Sequence, residues 1–186
     1  MATATSHIVN GLDTEKVVQT IDAIKSDADI AKCKFRLSNK WINGGNNHSI
    51  VGGFYGAKQE MEHASTFELD ADEPYVLAGT DKAANPVEHL LNALAACVTT
   101  SMVYHAAVQG IEIKELESEL EGDLDLRGFL GISDSVRKGY QNIRVNFKIK
   151  TDEGADLEKL KELTTFSPVF DVVTNGTKVN INIERK

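Results

Sequence analysis

Residues 85–110 read NPVEHLLNALAACVTTSMVYHAAVQG, and the fold turns on whether this stretch is one helix. Asn85 is a good N-cap, Pro86 suits the first helical position, and Glu88 stands three residues after the cap. Gly110 supplies the stop. Between them Leu90, Leu91, Ala93 to Val98, Met102, Val103, Ala106 and Ala107 leave little polar surface. A helix apolar nearly all round is expected to be a buried one. In its middle sits Cys97, one of only two cysteines in the chain.

The chain around this helix has 186 residues, one domain by length and enough to bury a real core. A formal charge of -8 argues against a nucleic-acid partner, which calls for a basic face. The uninterrupted apolar run Ala93 to Val98 is far short of the ~20 residues that span a bilayer, so no membrane partner is expected. The start, MATATSHIVNGLD, has neither a basic nor an apolar segment of the kind that directs secretion. Without secretion the sequon Asn175-Gly176-Thr177 is read as empty. Cys33 and Cys97 cannot build a disulfide scaffold, which fits a reducing, cytoplasmic setting.

Upstream, residues 1–12 carry no pattern and are expected as a loose arm. Residues 14–28 place Val17, Val18, Ile21 and Ile24 at helical spacing behind an Asp13 cap, which predicts an outer amphipathic helix. Together these form an N-terminal arm and helix, 1–30, ahead of a domain at 31–186. Ala31, Cys33, Phe35 and Leu37 alternate with polar residues, which predicts a half-buried strand with Cys33 packed inward. The NGGNN turn (43–47) and HSIVGGFYGA make a hairpin, and STFELDADEP gives a further short strand.

Downstream, Glu115, Glu117, Glu119 and Glu121 share one strand face. Arg144, Asn146, Lys148 and Lys150 share another, with Ile143, Val145, Phe147 and Ile149 behind them. Paired antiparallel, acid would meet base, each cross-strand pair contributing roughly 0.2–1 kcal/mol. A metal site on these glutamates is not expected, because no histidine accompanies them. A second helix is predicted over 156–166, stopping before Pro168. A last strand follows, with Val179, Ile181 and Ile183 inward. The fold class is α+β: an antiparallel sheet, two core helices and an extra N-terminal helix.

At ~100° per residue, Cys97 shares its helical stripe with Leu90, Ala93 and Leu94 below and with Ser101 and Tyr104 above. The stripe turns from aliphatic to hydroxyl-bearing at the thiol. Such a cysteine is either a small core residue or a nucleophile at the edge of an apolar pocket. His89 and His105 lie eight residues to either side, each roughly 80° off this stripe, so neither is placed as its base.

NPVEHLLNALAAC (85–97), followed at a distance by SPVFDVVTNGTKVNINIE (167–184), resembles the OsmC/Ohr family over roughly residues 31–184. The resemblance implies an OsmC-like fold, an intertwined homodimer with sites where subunits meet, and no cofactor or metal. Peroxidase-type members reduce organic hydroperoxides with two cysteines, helped by a glutamate and an arginine. Cys97 matches the cysteine that attacks the peroxide and becomes a sulfenic acid. The resolving position holds Ser167, which cannot form a disulfide. The glutamate position is shifted to Glu88, about 180° around the helix from Cys97 and equally explained by capping. The first hairpin has no arginine; Arg36 and Arg127 are the candidate cations.

Two functions remain open at this stage. One is a single-cysteine hydroperoxide reductase, its sulfenic acid reduced by an external thiol because Ser167 cannot do so. The other is a non-enzymatic dimer that keeps the fold to bind a small apolar or electrophilic ligand. Acyl transfer has no oriented Cys–His–Asp signature in its support.

Overall fold

The structure is a computed structural model that describes residues 7–186; the first six residues of the expected arm lie outside the described residues. In chain order the elements are β1 (Ile8–Val9), β2 (Leu12–Asp13), α1 (Thr14–Ser26), β3 (Leu37–Asn43), β4 (Asn46–Val51), β5 (Phe54–Gly56), β6 (Gln59–Met61) and β7 (Phe67–Ala71). After these come α2 (Pro86–Val108), β8 (Ile113–Asp123), the short α3 (Leu126–Phe129), β9 (Asn142–Thr151), α4 (Leu157–Leu163) and α5 (Pro168–Asn175). Single 3-10 turns lie at Ala28–Ala31, Tyr75–Leu77 and Thr164–Phe166. The chain divides into two compact units, one of Asp13–Leu90 and the other of Leu91–Lys186 with Ile8–Leu12.

In the first unit, β3, β4 and β7 form an antiparallel sheet, with Leu37 opposite Val51 and Val51 opposite Phe67. The predicted hairpin is present, its turn carried by Gly44 at φ 55°, a left-handed conformation that glycine adopts freely. Beyond β4 the strand does not continue: Gly52 and Gly53 interrupt it, and β5 pairs instead with β6. Leu37, Trp41, Phe67 and Leu69 share one face of the three-stranded sheet and are all exposed within the chain.

The strand expected from Ala31 through Leu37 is not formed. Ala31 ends a 3-10 turn, and the segment after it pairs as a strand only at the isolated Lys34–Tyr55 bridge, with further contacts from the Phe35 ring to Phe54 and from Arg36 to Glu60. Cys33 is therefore exposed rather than packed inward. Alternation supplies an apolar face, but burial requires a layer to cover it. The α1 helix forms as predicted, the Asp13 carboxylate accepting from the Lys16 amide at 3.2 Å, yet none of its residues is buried.

After β7 the chain turns around Asp72, which is 1 % exposed. Its carboxylate accepts from the Thr80 hydroxyl at 2.5 Å and from the amides of Glu73, Thr80 and Lys82. The Thr80 hydroxyl bond holds the Asp72 carboxyl below its ordinary range against the opposing effect of burial. A Cβ at Gly79 would come within 1.7 Å of the Glu73 carbonyl oxygen, so only glycine closes this loop.

The second unit holds the core. Met102, Ala106, Leu160 and Leu163 are buried together, with Ile111, Ile113, Leu116, Phe147 and Ile149 packed against them. Thus α2 and α4 lie on one face of the β8–β9 hairpin. On its other face Lys150 pairs with Glu115, Lys148 with Glu119, and Arg144 with Glu121 and Asp123, the acid-to-base ladder read from the sequence. Gly122 lets the Tyr140 ring lie against the strand, since a Cβ there would sit 2.5 Å from it. The β1–β2 turn is no loose arm in its described part. Asn10 donates to the carbonyl of Ile111 at 3.0 Å and accepts from the Ile113 amide at 2.7 Å, tying the turn to the start of β8.

Two further expectations change here. The helix predicted over 156–166 is α4 followed by a 3-10 turn, and Pro168 opens α5 at its first position rather than only ending what precedes it. Residues 176–186 form no strand, and Val179, Ile181 and Ile183 are exposed instead of inward.

Candidate functional site

The helix that carries the thiol begins as the sequence dictates. The Glu88 amide donates to the Asn85 side chain at 2.9 Å, and the Asn85 amide donates to the Glu88 carboxylate at 2.8 Å. This reciprocal capping box satisfies two amides that the first turn leaves unpaired. It also engages the carboxylate of Glu88, the residue in the expected glutamate role.

Along α2, Leu94, Val98, Met102 and Ala106 form the buried stripe, each four residues from the last. The helix is thus buried along one stripe within the chain and not all round: Leu90, Tyr104 and Val108 are exposed. By length and composition alone α2 is apolar enough to cross a bilayer, but its buried stripe packs in the core as a globular helix does. Cys97 precedes Val98 by one position and so sits ~100° around, at the edge of that stripe. Its thiol is free and half-buried.

One turn beyond Cys97, the Ser101 hydroxyl donates to the Leu163 carbonyl at 2.7 Å, and the His105 ring stacks on Phe166 at 4.4 Å. These contacts fasten the end of α4 and the turn after it along α2. Ser167 follows at once, 1 % exposed, its hydroxyl accepting from the Phe170 amide at 3.1 Å to cap α5. Serine in place of a second thiol therefore has a structural use of its own.

Beside the buried stripe opens a cavity of about 440 Å³, lined on the apolar side by Val98, Met102, Val145, Phe147, Leu157 and Phe170. Asn146, Lys161 and Thr164 are its polar members. A volume of this size takes a small organic ligand, and the lining favours an apolar one. No sequence signal announced the cavity, because its walls come from four elements that meet only in the fold.

The candidate cations are both engaged. Arg36 forms a two-pronged pair with Glu60, at 2.7 and 3.0 Å, and holds that carboxylate below its usual range. Arg127 grips Asp125 in the same manner, at 2.6 Å for the shortest contact, with the same effect on the Asp125 carboxyl. His89 contacts the Asp70 carbonyl at 2.9 Å. Among the described residues no histidine, cysteine and carboxylate groups gather as a metal site.

The family model described as OsmC-like protein matches residues 79–182. No curated protein matches the sequence. Among solved structures, an OsmC-like protein from Mycoplasma pneumoniae is similar at 18 % identity and a TM-score of 0.55, over 81 % of this chain and 96 % of that one. An organic hydroperoxide resistance protein from Legionella pneumophila is similar at 19 % identity and a TM-score of 0.50, over 78 % and 93 %. An OsmC-like protein of unknown function from Vibrio cholerae gives 12 % identity and 0.52, over 78 % and 94 %. At such identities these likenesses speak for the fold.

Proposed function

Because the chain belongs to the OsmC-like protein family, a family of redox stress proteins with an organic hydroperoxide resistance protein among its structural neighbours, we propose that it is a thiol peroxidase of organic hydroperoxides with Cys97 as its nucleophile. The Cys97 thiolate attacks one peroxide oxygen and the O–O bond breaks. The thiol sulfur is oxidised to a sulfenic acid, and the alkoxide leaves as alcohol after taking a proton. An external thiol then condenses with the sulfenic acid, releasing water and leaving a mixed disulfide. A second external thiol exchanges with that disulfide and restores Cys97.

The observation that carries this reading is the free, half-buried thiol of Cys97 on a capped helix, one residue before Val98, which lines the apolar cavity. Ser167 supports the single-cysteine form, since a hydroxyl at that buried turn cannot resolve a sulfenic acid. We place the working protein in the cytoplasm, where reducing thiols are abundant. Residues 31–186 act as the OsmC-like domain, with residues 1–30 an addition to it.

The working form is an intertwined homodimer. Trp41 at 68 % exposure, Ile181 at 81 % and Ile183 at 92 % are apolar side chains that a single chain leaves in water. A second copy covering them removes that cost, and sedimentation at micromolar concentration reads the state directly.

The test mixes reduced protein with an alkyl hydroperoxide and follows intact mass, with Cys97→Ser as control. Gain of one oxygen on the wild-type chain, converted to a mixed disulfide by added thiol and absent from the variant, is expected. A thiol that stays unmodified under excess peroxide refutes the reading. The second reading, binding of a small apolar ligand without turnover, is favoured by one observation, the cavity beside Val98 and Phe147. It predicts that an apolar fluorescent probe binds equally well to the Cys97→Ser variant.

A further inference from the structure

The cavity beside Val98 carries a charge in its wall that neither reading of the protein has used. Its floor comes from α2, where Val98 and Met102 are 2 % and 1 % exposed, and from β9 through Val145, Phe147 and Ile149. The side formed by α4 has two stripes of different use. Leu160 and Leu163 pack into the core against Met102 and Ala106. Leu157 and Lys161, four residues apart and so on one helix face, line the cavity instead, with Thr164 a turn further on.

The polar members of this wall are not equivalent. Asn146 pairs with Glu119 across the hairpin and alternates onto the same face as Arg144 and Lys148, so its side chain belongs to the charge ladder. The Thr164 hydroxyl donates to the Lys161 carbonyl at 2.7 Å, which occupies its proton. Among the described lining residues Lys161 alone is charged. Its ammonium lies 3.2 Å from the Glu158 carboxylate, in a pair whose side chains are 76 % and 82 % exposed. Water already competes for so exposed a pair, which holds its partners weakly, and an anion arriving along the cavity competes on the same terms.

A wall of this kind selects an amphipathic shape. A wholly apolar molecule leaves the ammonium unused, and a small anion leaves the apolar floor without a partner. The volume of about 440 Å³ equals the liquid share of about fifteen water molecules, room for a chain of roughly ten carbons and its head group. We infer that the cavity binds an apolar-chain carboxylate, with the chain along Val98, Val145 and Phe147 and the carboxylate on Lys161, displacing Glu158. Lysine suits the rim because its methylene stem lies along apolar surface such as Leu157 while the ammonium stays in water. The inference deepens the ligand-binding reading of this cavity and rests on it, and it draws nothing from the chemistry of Cys97.

The experiment titrates the reduced, full-length protein calorimetrically with decanoate, with hexanoate and with 1-decanol, each below the concentration at which it self-associates. Decanol has the same chain length as decanoate without the charge. Decanoate should bind far more tightly than hexanoate, since each buried methylene contributes up to about fourfold in affinity. Lys161→Ala should weaken decanoate about fivefold and leave decanol unchanged. Glu158→Ala removes the competing carboxylate and should tighten decanoate by a similar factor. Both positions are exposed, so neither change disturbs the core. Val145→Phe, which fills part of the cavity, should weaken both decanoate and decanol.

Decanoate and decanol bound alike, and both indifferent to Lys161→Ala, overturn the carboxylate assignment and leave an apolar-ligand site standing. Decanoate binding that Lys161→Ala weakens but Val145→Phe leaves intact puts the anion outside the cavity and overturns the inference as well. Protein that binds none of the three overturns the ligand-binding reading and the inference together.

Discussion

Replacing Ser167 by cysteine tests whether the buried turn before α5 faces the thiol. The contacts that flank it all lie along the same helix: Leu163 accepts from Ser101, Phe166 stacks on His105, and Phe170 shares a cavity with Val98. Ser167 is thereby brought to the side of α2 that carries Cys97. In the reduced variant the cap on the Phe170 amide is weakened, because a thiol is a poorer acceptor than the hydroxyl that now bonds it at 3.1 Å. That costs about 1 kcal/mol. Oxidation then closes a loop of about 70 residues between positions 97 and 167, and constraining the unfolded chain over that length contributes about 4 kcal/mol. Relative to wild type, the reduced variant should melt ~3 °C lower and the oxidised one ~9 °C higher. Intact mass after one equivalent of alkyl hydroperoxide should show loss of two hydrogens in Ser167→Cys, and gain of one oxygen in wild type. If the variant forms no bridge with either hydroperoxide or a disulfide oxidant, and its melting point does not rise, the turn does not face Cys97.

Glu88→Ala should lower stability by about 1 kcal/mol through loss of the capping box, while the rate of Cys97 alkylation stays within about twofold of wild type. A much larger fall in that rate would restore a catalytic part to Glu88. Leu160→Ala empties a fully buried position against Met102 and Ala106 and should cost about 3 kcal/mol in urea unfolding. The Asp72 carboxyl is held below the ordinary aspartate value of 3.8 in the folded chain, so its contribution to stability is complete above that pH and is lost as pH falls below it. Acid unfolding of Asp72→Asn should therefore begin from a lower stability at neutral pH and fall less steeply below about pH 4 than wild type. Parallel curves would remove Asp72 from the account.

Local chemistry carried far in this chain wherever an element's partner is its sequence neighbour. The capping box of α2 needs only Asn85 and Glu88, three residues apart, and it formed as read. The β8–β9 pairing needs two alternating strands and one connection, and opposite charge on the two polar faces agrees with the only register that also buries Leu116, Phe147 and Ile149. The position of Cys97 on its helix follows from the same short-range geometry.

What the tertiary structure alone decided is which apolar faces are covered. The alternation at Ala31–Leu37 and that at Val179–Ile183 look alike in sequence to the alternation of β9, yet neither is buried within the chain, because burial depends on a second layer that comes from elsewhere. The same holds for α2, apolar nearly all round but buried on the one stripe that α4 and the hairpin reach. The cavity beside Val98 and the engagement of Arg36 and Arg127 with nearby carboxylates were likewise invisible beforehand. Periodicity states what a segment can hide; only the packing of distant segments states what it does hide, and which charges are left over.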